Sequence, residues 1–308
     1  FHPYRPRITL AASSKLLHYS RWLLASNLTG YVRERSSDWL LGRVSGAHSL
    51  GIFNLGAEIS SLPSTELLAP INRALIPAYS AISQSPEKLR AEYLSVLSVV
   101  ALLGMPAVVG LLSTAPLAVP VMLGSNWAEV VPLLMILSLA GITQIITGNI
   151  YPAYLALSRP DLIVRVNATS AIVVVAAMLA LVPSLGAVGG AWAVVLSSWL
   201  VVPLSIYYLK KILGVHIRSI LSAIWRPSVA SAAMCAVVLP LSQRWSVESG
   251  GSSTLLRLVS AVSLGMVLYM VALCFLWWAG GRPEGGEKML LRRLGPILDS
   301  ARRRVAGR

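Results

Sequence analysis

"YVRERSSDWLLGR", residues 31–43, sets Arg33, Glu34, Arg35, Asp38 and Arg43 into a chain that is elsewhere strongly apolar. If this stretch is a solvated helix face, the apolar segments after it cross a membrane by themselves. If it belongs to a crossing, the chain gains a span, and every later connection changes side. The fold turns on that choice.

The surroundings are membrane-like. The 308 residues are 56% hydrophobic and only 12% charged, with a mean hydropathy of +0.70. A soluble domain of this length needs far more polar surface to cover its core, so the chain reads as a polytopic, all-α transmembrane bundle. A spanning helix takes about 20 mostly apolar residues. Six segments qualify directly: 92–113, 128–150, 162–183, 187–209, 224–241 and 256–279. Two earlier segments, 16–38 and 50–80, are long enough but carry polar residues, which makes about eight spans.

Lysine and arginine decide whether the polar segments cross, because they collect on the cytoplasmic side. With eight spans and both ends inside, nineteen basic residues lie on inside segments and three (Arg43, Arg244 and Arg257) outside. Removing an early span scatters the basic loops over both sides. The opening stretch therefore crosses.

The net charge of +14 does not indicate a nucleic-acid partner. The basic residues sit between apolar runs and in the last thirty positions, with no aromatic-interleaved patch or nucleic-acid motif. Cys235 and Cys274 lie in apolar runs and read as buried thiols rather than a disulfide or metal site. The four histidines are scattered, without ligand spacing. The chain begins at Phe1, on "FHPYRPR", and reads as a fragment lacking its amino-terminal part.

Two outside linkers stand out. "STAPLAVPVMLGSNW" is too apolar and Pro-rich for a floppy loop and is expected to dip back along the membrane surface. "SQRWSVESGGSS" reads as a flexible link to a peripheral final pair of helices. Gly186 and Gly190 form a GxxxG at the start of a span, which favours close helix packing. The tail "EKMLLRRLGPILDSARRRVAGR" alternates apolar and basic residues. It fits an interfacial helix on anionic lipid or a disordered positive tail.

Polar side chains concentrate in the first two spans. At about 100° per residue, Asn54, Glu58, Ser61, Thr65 and Asn72 share one stripe of the second, with Glu66 and Arg73 on an adjacent one. Such a stripe on an apolar span faces protein or water rather than lipid. Pro63, Pro70 and Pro77 each remove a backbone donor, so this helix is expected to kink or break. In the first span Asn27, Glu34 and Asp38 cluster on one face, with Arg35 beside them, within reach of Asp38, and Arg21 further round. Arg33 points away. These residues either wall a hydrated cavity for a polar or anionic substrate, or serve as intramembrane ion pairs and helix glue. Gln144, Asn149, Tyr151 and Tyr154 form a milder polar patch. No GxSxG, HExxH or GxxxxGK[ST] occurs, and no hydrophilic stretch is long enough for a catalytic domain. The sequons at Asn167 and Asn27 fall inside proposed spans.

"SSDWLLGRVSGAHSLGIFNLGAEISSLPSTELLAPINRALIPAYSAIS" resembles the central region of Wzx/WzxC-like polysaccharide flippases, bacterial exporters of the multidrug/oligosaccharidyl-lipid/polysaccharide superfamily. The resemblance rests on Asp38 and Gly42, Gly51 and Phe53, Pro77 and Ser80, Leu89, Arg90 and Tyr93, and on Leu123, Gly124 and Trp127 before a helix. It covers about residues 1–215 and implies a second transporter lobe of about six helices. Residues 216–280 would be an additional helix pair and 281–308 a basic cytoplasmic tail, with a first lobe absent from the fragment.

The resemblance also implies alternating access around a central cavity, moving a polyprenyl-diphosphate-linked glycan across the inner membrane. Arg21, Arg35 and Arg73 would meet the diphosphate. Asp38, Glu58 and Glu66 would pair with them or carry coupling protons or sodium. No other cofactor and no catalytic activity is implied, and a polysaccharide polymerase or export machinery is a possible partner. The alternatives are a cation-coupled multidrug-type antiporter and, further off, a membrane enzyme acting on polyprenyl-linked glycans.

Overall fold

The computed structural model describes residues 13–247 and 253–279, all in helices and the short turns between them. The amino-terminal basic stretch, part of the 242–253 linker and the basic tail lie outside the described residues, as do the expectations attached to them. The helices are α1 (Ser13–Val44), α2 (Gly46–Pro63), α3 (Ala69–Ile82), α4 (Pro86–Leu123), α5 (Val130–Thr147), α6 (Ile150–Ala156), α7 (Pro160–Leu213), α8 (Ile217–Val247) and α9 (Ser253–Ala279). In lipid each backbone polar group must be satisfied within its own segment, and long Leu, Val and Ala runs do that as helices. Proline at the first position opens α4 and α7, where its missing N–H costs nothing. The helices outrun the apolar windows of the sequence, because their ends continue into the interface carrying residues such as Lys88, Arg90, Arg218 and Arg226.

Helix α7 decides the topology. Its 54 residues would reach about 80 Å if straight. Instead it doubles back at Gly186, whose φ of 57° and ψ of −134° suit glycine alone. The Ser197 hydroxyl lies 3.0 Å from that of Ser170 and donates to the Ser170 carbonyl at 2.9 Å, so the two arms lie side by side. The GxxxG motif therefore splits its tasks: Gly186 makes the turn, while Gly190 packs its bare Cα against Leu41 of α1.

Passes alternate in direction through the bundle. The 83–85, 157–159 and 214–216 turns meet at one end, around a core holding Leu89, Leu162, Leu213, Val215 and Ile220. There Arg90 donates to the Gly214 carbonyl at 3.3 Å. At the other end Leu41, Phe53, Val119, Val130, Val182 and Ala187 form a second core. Three of the basic connections counted in the sequence, those with Lys88 and Arg90, with Arg159 and Arg165, and with Lys210, Lys211 and Arg218, thus share one end. Helices α4, α5, α7, α8 and α9 are each long and apolar enough to cross a membrane, and the chain is a multi-pass membrane protein.

Three sequence expectations change. The apolar linker after Leu112 does not dip back: α4 runs on to Leu123 with Ser113 to Val119 buried against neighbours, despite Pro116 and Pro120 inside it. Helix–helix packing there outweighs the loss of two backbone donors. The Pro63–Pro70 stretch does not break its helix but widens into a π turn, Ser64–Leu68, where the Ala69 N–H reaches the Ser64 carbonyl. Finally, Cys274 is exposed on α9 and Cys235 is half-buried, both as free thiols. An apolar run in a membrane helix can face lipid as readily as protein.

A third core joins α8 and α9 to α4 through Leu102, Val109, Leu117, Met234, Val238 and Tyr269. Pro106 has no N–H for the Leu102 carbonyl four residues earlier, and the Tyr269 hydroxyl supplies the missing donor at 2.7 Å. Tyr269→Phe leaves that carbonyl orphaned in an apolar setting. It should cost about 1–2 kcal/mol, read as a lowered melting temperature in detergent.

Candidate functional site

Helix α1 lies along α7 through a stripe of small residues. Ser26 and Ser37 are buried there, Gly30 faces Asn167, and Leu41 closes the contact against Gly190. Small side chains let two helices approach closely. Asn167 strengthens the seam, its Nδ2 lying 3.4 Å from the Ser26 carbonyl and 3.5 Å from its hydroxyl. Helix α2 is seated on α5 in the same way, with the bare Cα of Gly56 against Leu133 and Leu134. The polar residues of α1 and α2 are left on the flanks of these seams.

Between α1, α2, α5 and α7 lies a polar cleft of two adjoining cavities. One, of about 610 Å³, is walled by Asn27, Tyr31, Asn72, Thr143, Thr147, Tyr151, Tyr154, Asn167 and Ser205, among others. The second, of about 470 Å³, is walled by Asp38, Asn54, Ser61, Ser64, Thr65 and Ser197. Arg33, Glu34, Gln144, Ser170 and Ser198 line both. Hydroxyls and side-chain amides, able both to donate and to accept hydrogen bonds, dominate the walls. Among the described residues, the ionisable side chains on them besides tyrosines are Arg33, Glu34 and Asp38, with Arg33 lying 3.6 Å from Glu34.

The residues singled out in the sequence divide by position. Asn27, Glu34, Asp38, Asn54 and Asn72 line the cleft. Arg21, Arg35, Glu58, Glu66 and Arg73 do not; they are exposed on α1, α2, α3 and the π turn. Arg35 holds Asp38 at 2.8 Å and lies 5.9 Å from the Tyr31 ring. Arg21 lies over Trp22, also at 5.9 Å. The π turn adds one residue to its helix turn, so residues beyond it are rotated by about 100° relative to a regular helix. Asn54 and Asn72, 18 residues apart on one stripe and so about 27 Å apart along an ideal helix, line different cavities.

The cleft also recruits residues to which the sequence reading gave little weight. Arg33, expected to point away, lines both cavities. Asn167, Ser170, Ser197 and Ser198 come from the two arms of α7, which look uniformly apolar by composition. Their signal was a polar side chain inside an apolar run, recurring at i, i+3 from Asn167 to Ser170.

Beneath the larger cavity a buried network fixes the basic end of the bundle. The Tyr79 hydroxyl donates to Asn149 Oδ1 at 2.8 Å, and Asn149 Nδ2 donates to the Tyr93 carbonyl at 3.2 Å. The Tyr154 hydroxyl donates to the Ser205 carbonyl at 3.1 Å. Tyr79 and Tyr93 are fully buried, so α3, α4, α6 and the second arm of α7 are tied together under the cleft floor.

This arrangement defines a class: a multi-pass helical membrane bundle with a polar cleft. The fold is that of the lipid II flippase MurJ in its inward closed conformation, with a TM-score of 0.65 at 13% identity over 91% of this chain and 58% of that one. Residues 1–132 match the family described as polysaccharide biosynthesis protein. The chain is 28% identical to the lipopolysaccharide biosynthesis protein WzxC of Escherichia coli (strain K12) over 227 residues, 73% of this chain and 46% of that protein. It is 23% identical to the teichuronic acid biosynthesis protein TuaB of Bacillus subtilis (strain 168), over 83% of this chain and 52% of TuaB. It is 24% identical to the succinoglycan biosynthesis transport protein ExoT of Rhizobium meliloti (strain 1021), over 98% of this chain and 58% of ExoT. The likeness to Wzx-type polysaccharide exporters read from the sequence therefore holds. The chain spans about half the length of the curated relatives it matches.

Proposed function

We propose that this chain is one lobe of an exporter that moves a lipid-linked oligosaccharide across the bacterial inner membrane by alternating access. The observation that carries the reading is the polar cleft between α1, α2, α5 and α7, set in a bundle otherwise walled by leucine, valine and alanine. A sugar presents hydroxyls that both donate and accept, and the serines, threonines and amides of the cleft can answer either way. Tyr31 and Tyr151 add ring faces and edges against which a sugar's apolar C–H surface can lie.

The likeness to proteins named for lipopolysaccharide biosynthesis, teichuronic acid biosynthesis and succinoglycan biosynthesis transport points to the same substrate class. On this reading the exposed charged face of α1 to α3, with Arg21, Arg35, Glu58, Glu66 and Arg73, looks onto the other lobe. Arg33 joins Arg21, Arg35 and Arg73 as a guanidinium for the diphosphate. Asp38, Glu58 and Glu66 are the groups placed to exchange a coupling proton or sodium ion. Both ends of the chain lie on the cytoplasmic side, and the protein acts by binding and conformational change rather than by catalysis.

The test is complementation by the full-length protein in a strain lacking its own copy, scored by surface polysaccharide. Arg33→Ala should lower export by about tenfold or more, the loss of one charge-assisted hydrogen bond, at unchanged protein level in the membrane. Arg73→Ala should act in the same direction. Full export by both variants would remove the cleft from the transport path.

A further inference from the structure

The connection between α7 and α8 forms a second site at the basic end of the bundle, sharing no lining residue with the cleft. Gly214 ends α7 in the left-handed conformation, with a φ of 65°, and its N–H caps the Lys210 carbonyl at 2.9 Å. Val215 is fully buried, and Arg90 holds the Gly214 carbonyl from α4. The turn is thus anchored by core packing on one side and a hydrogen bond on the other.

Beside it opens a groove of about 400 Å³. Its wall is Pro203, Ile206 and Tyr207 of α7 with Ile217 of α8, and its rim is Lys210, His216 and Arg218. Residues 203, 206, 207 and 210 follow the i, i+3, i+4, i+7 spacing of one helix face, so apolar groups give way to a cation where the helix leaves the hydrocarbon. Tyr207 and Ile217 are more than half exposed. Among the described residues no ion pair neutralises Lys210 or Arg218. Cations that merely anchor a helix end snorkel from a convex surface; these instead border a concave apolar notch.

We propose that this groove holds one anionic glycerophospholipid, its phosphate between Lys210 and Arg218 and an acyl chain along Pro203, Ile206 and Tyr207. The shape answers the ligand at both ends: two cations for the phosphate, and a hydrocarbon-facing slot for the chain.

Native mass spectrometry of the full-length protein in detergent, with phosphatidylglycerol or phosphatidylethanolamine added, tests the assignment. The wild type should retain phosphatidylglycerol about tenfold more than phosphatidylethanolamine, a difference of about 1.4 kcal/mol. Lys210→Gln/Arg218→Gln should lose one bound phosphatidylglycerol. Ile206→Trp, which fills the slot without changing charge, should lose it too. Lys88→Gln/Lys211→Gln removes the same charge at the same end outside the groove and should retain it; its melting curve, with those of the other variants, confirms folding. Equal loss in that control, or retention in Lys210→Gln/Arg218→Gln, overturns the site. So does loss of added undecaprenyl diphosphate with phosphatidylglycerol retained, which would give the groove to a polyprenyl carrier.

Discussion

A protein carrying Gly189→Ala is expected to lose about 3 kcal/mol of stability, at the upper end of what overpacking usually costs. A Cβ at this position would overlap the Leu181 carbonyl oxygen and lie 2.6 Å from its carbon and 3.1 Å from Leu185 Cβ. The first two are backbone atoms of the opposite arm of α7, so no rotamer change relieves the overlap. The arms must spread, and spreading them next to the Gly186 turn pulls Ser197 from Ser170 and Gly190 from Leu41. Gly51→Ala is the matched control. No heavy atom lies within 4 Å of a Cβ there, and alanine is the better helix former, so its melting temperature should stay level or rise slightly. Thermal unfolding of both variants in detergent checks the pair, and equal melting temperatures would contradict the hairpin.

Asn149→Leu should be nearly as costly, by about 2–3 kcal/mol, because one side chain serves two buried partners. Its loss leaves the Tyr79 hydroxyl without its acceptor and removes the amide from the Tyr93 carbonyl, in a place with no exposed surface. Tyr79→Phe alone removes only one bond and should cost less. The double variant is the discriminating measurement: with the Tyr79 hydroxyl gone as well, the leucine leaves no orphaned hydroxyl behind. Tyr79→Phe/Asn149→Leu should therefore be more stable than Asn149→Leu alone. Strict additivity of the two single effects would mean that the pair does not act as a unit.

Much of the architecture is legible along the chain because membranes simplify the physics. Hydrocarbon forces helices, and interfacial cations mark the ends of the passes, so the count of lysines and arginines orders the connections. The structure brings three of those connections together at one end, around Leu89, Leu162 and Leu213. The hidden features depend on what lies beside each helix. Composition shows that residues 113–119 are apolar but not that α8 waits to cover them. It shows Gly186 and Gly190 at helix-packing spacing, but not that the first makes a turn. It shows Cys274 in an apolar run without saying whether lipid or protein faces it.

The candidate site divides along the same line. Helical periodicity alone puts Asn27, Glu34 and Asp38 on one face of α1, since side-chain direction follows from residue spacing. It also gives the Arg35–Asp38 pair at i, i+3, but not the π turn at Ser64–Leu68 nor the place of Arg33 on the cleft wall. Still less can it show that the two arms of α7 fold against each other and present Asn167, Ser170 and Ser198 to α1. Hydropathy and charge act residue by residue, so a helical membrane bundle with polar side chains concentrated toward its first helices can be read along the chain. Which polar groups meet across the cleft depends on close approach between helices far apart in the chain, and the folded bundle alone sets that.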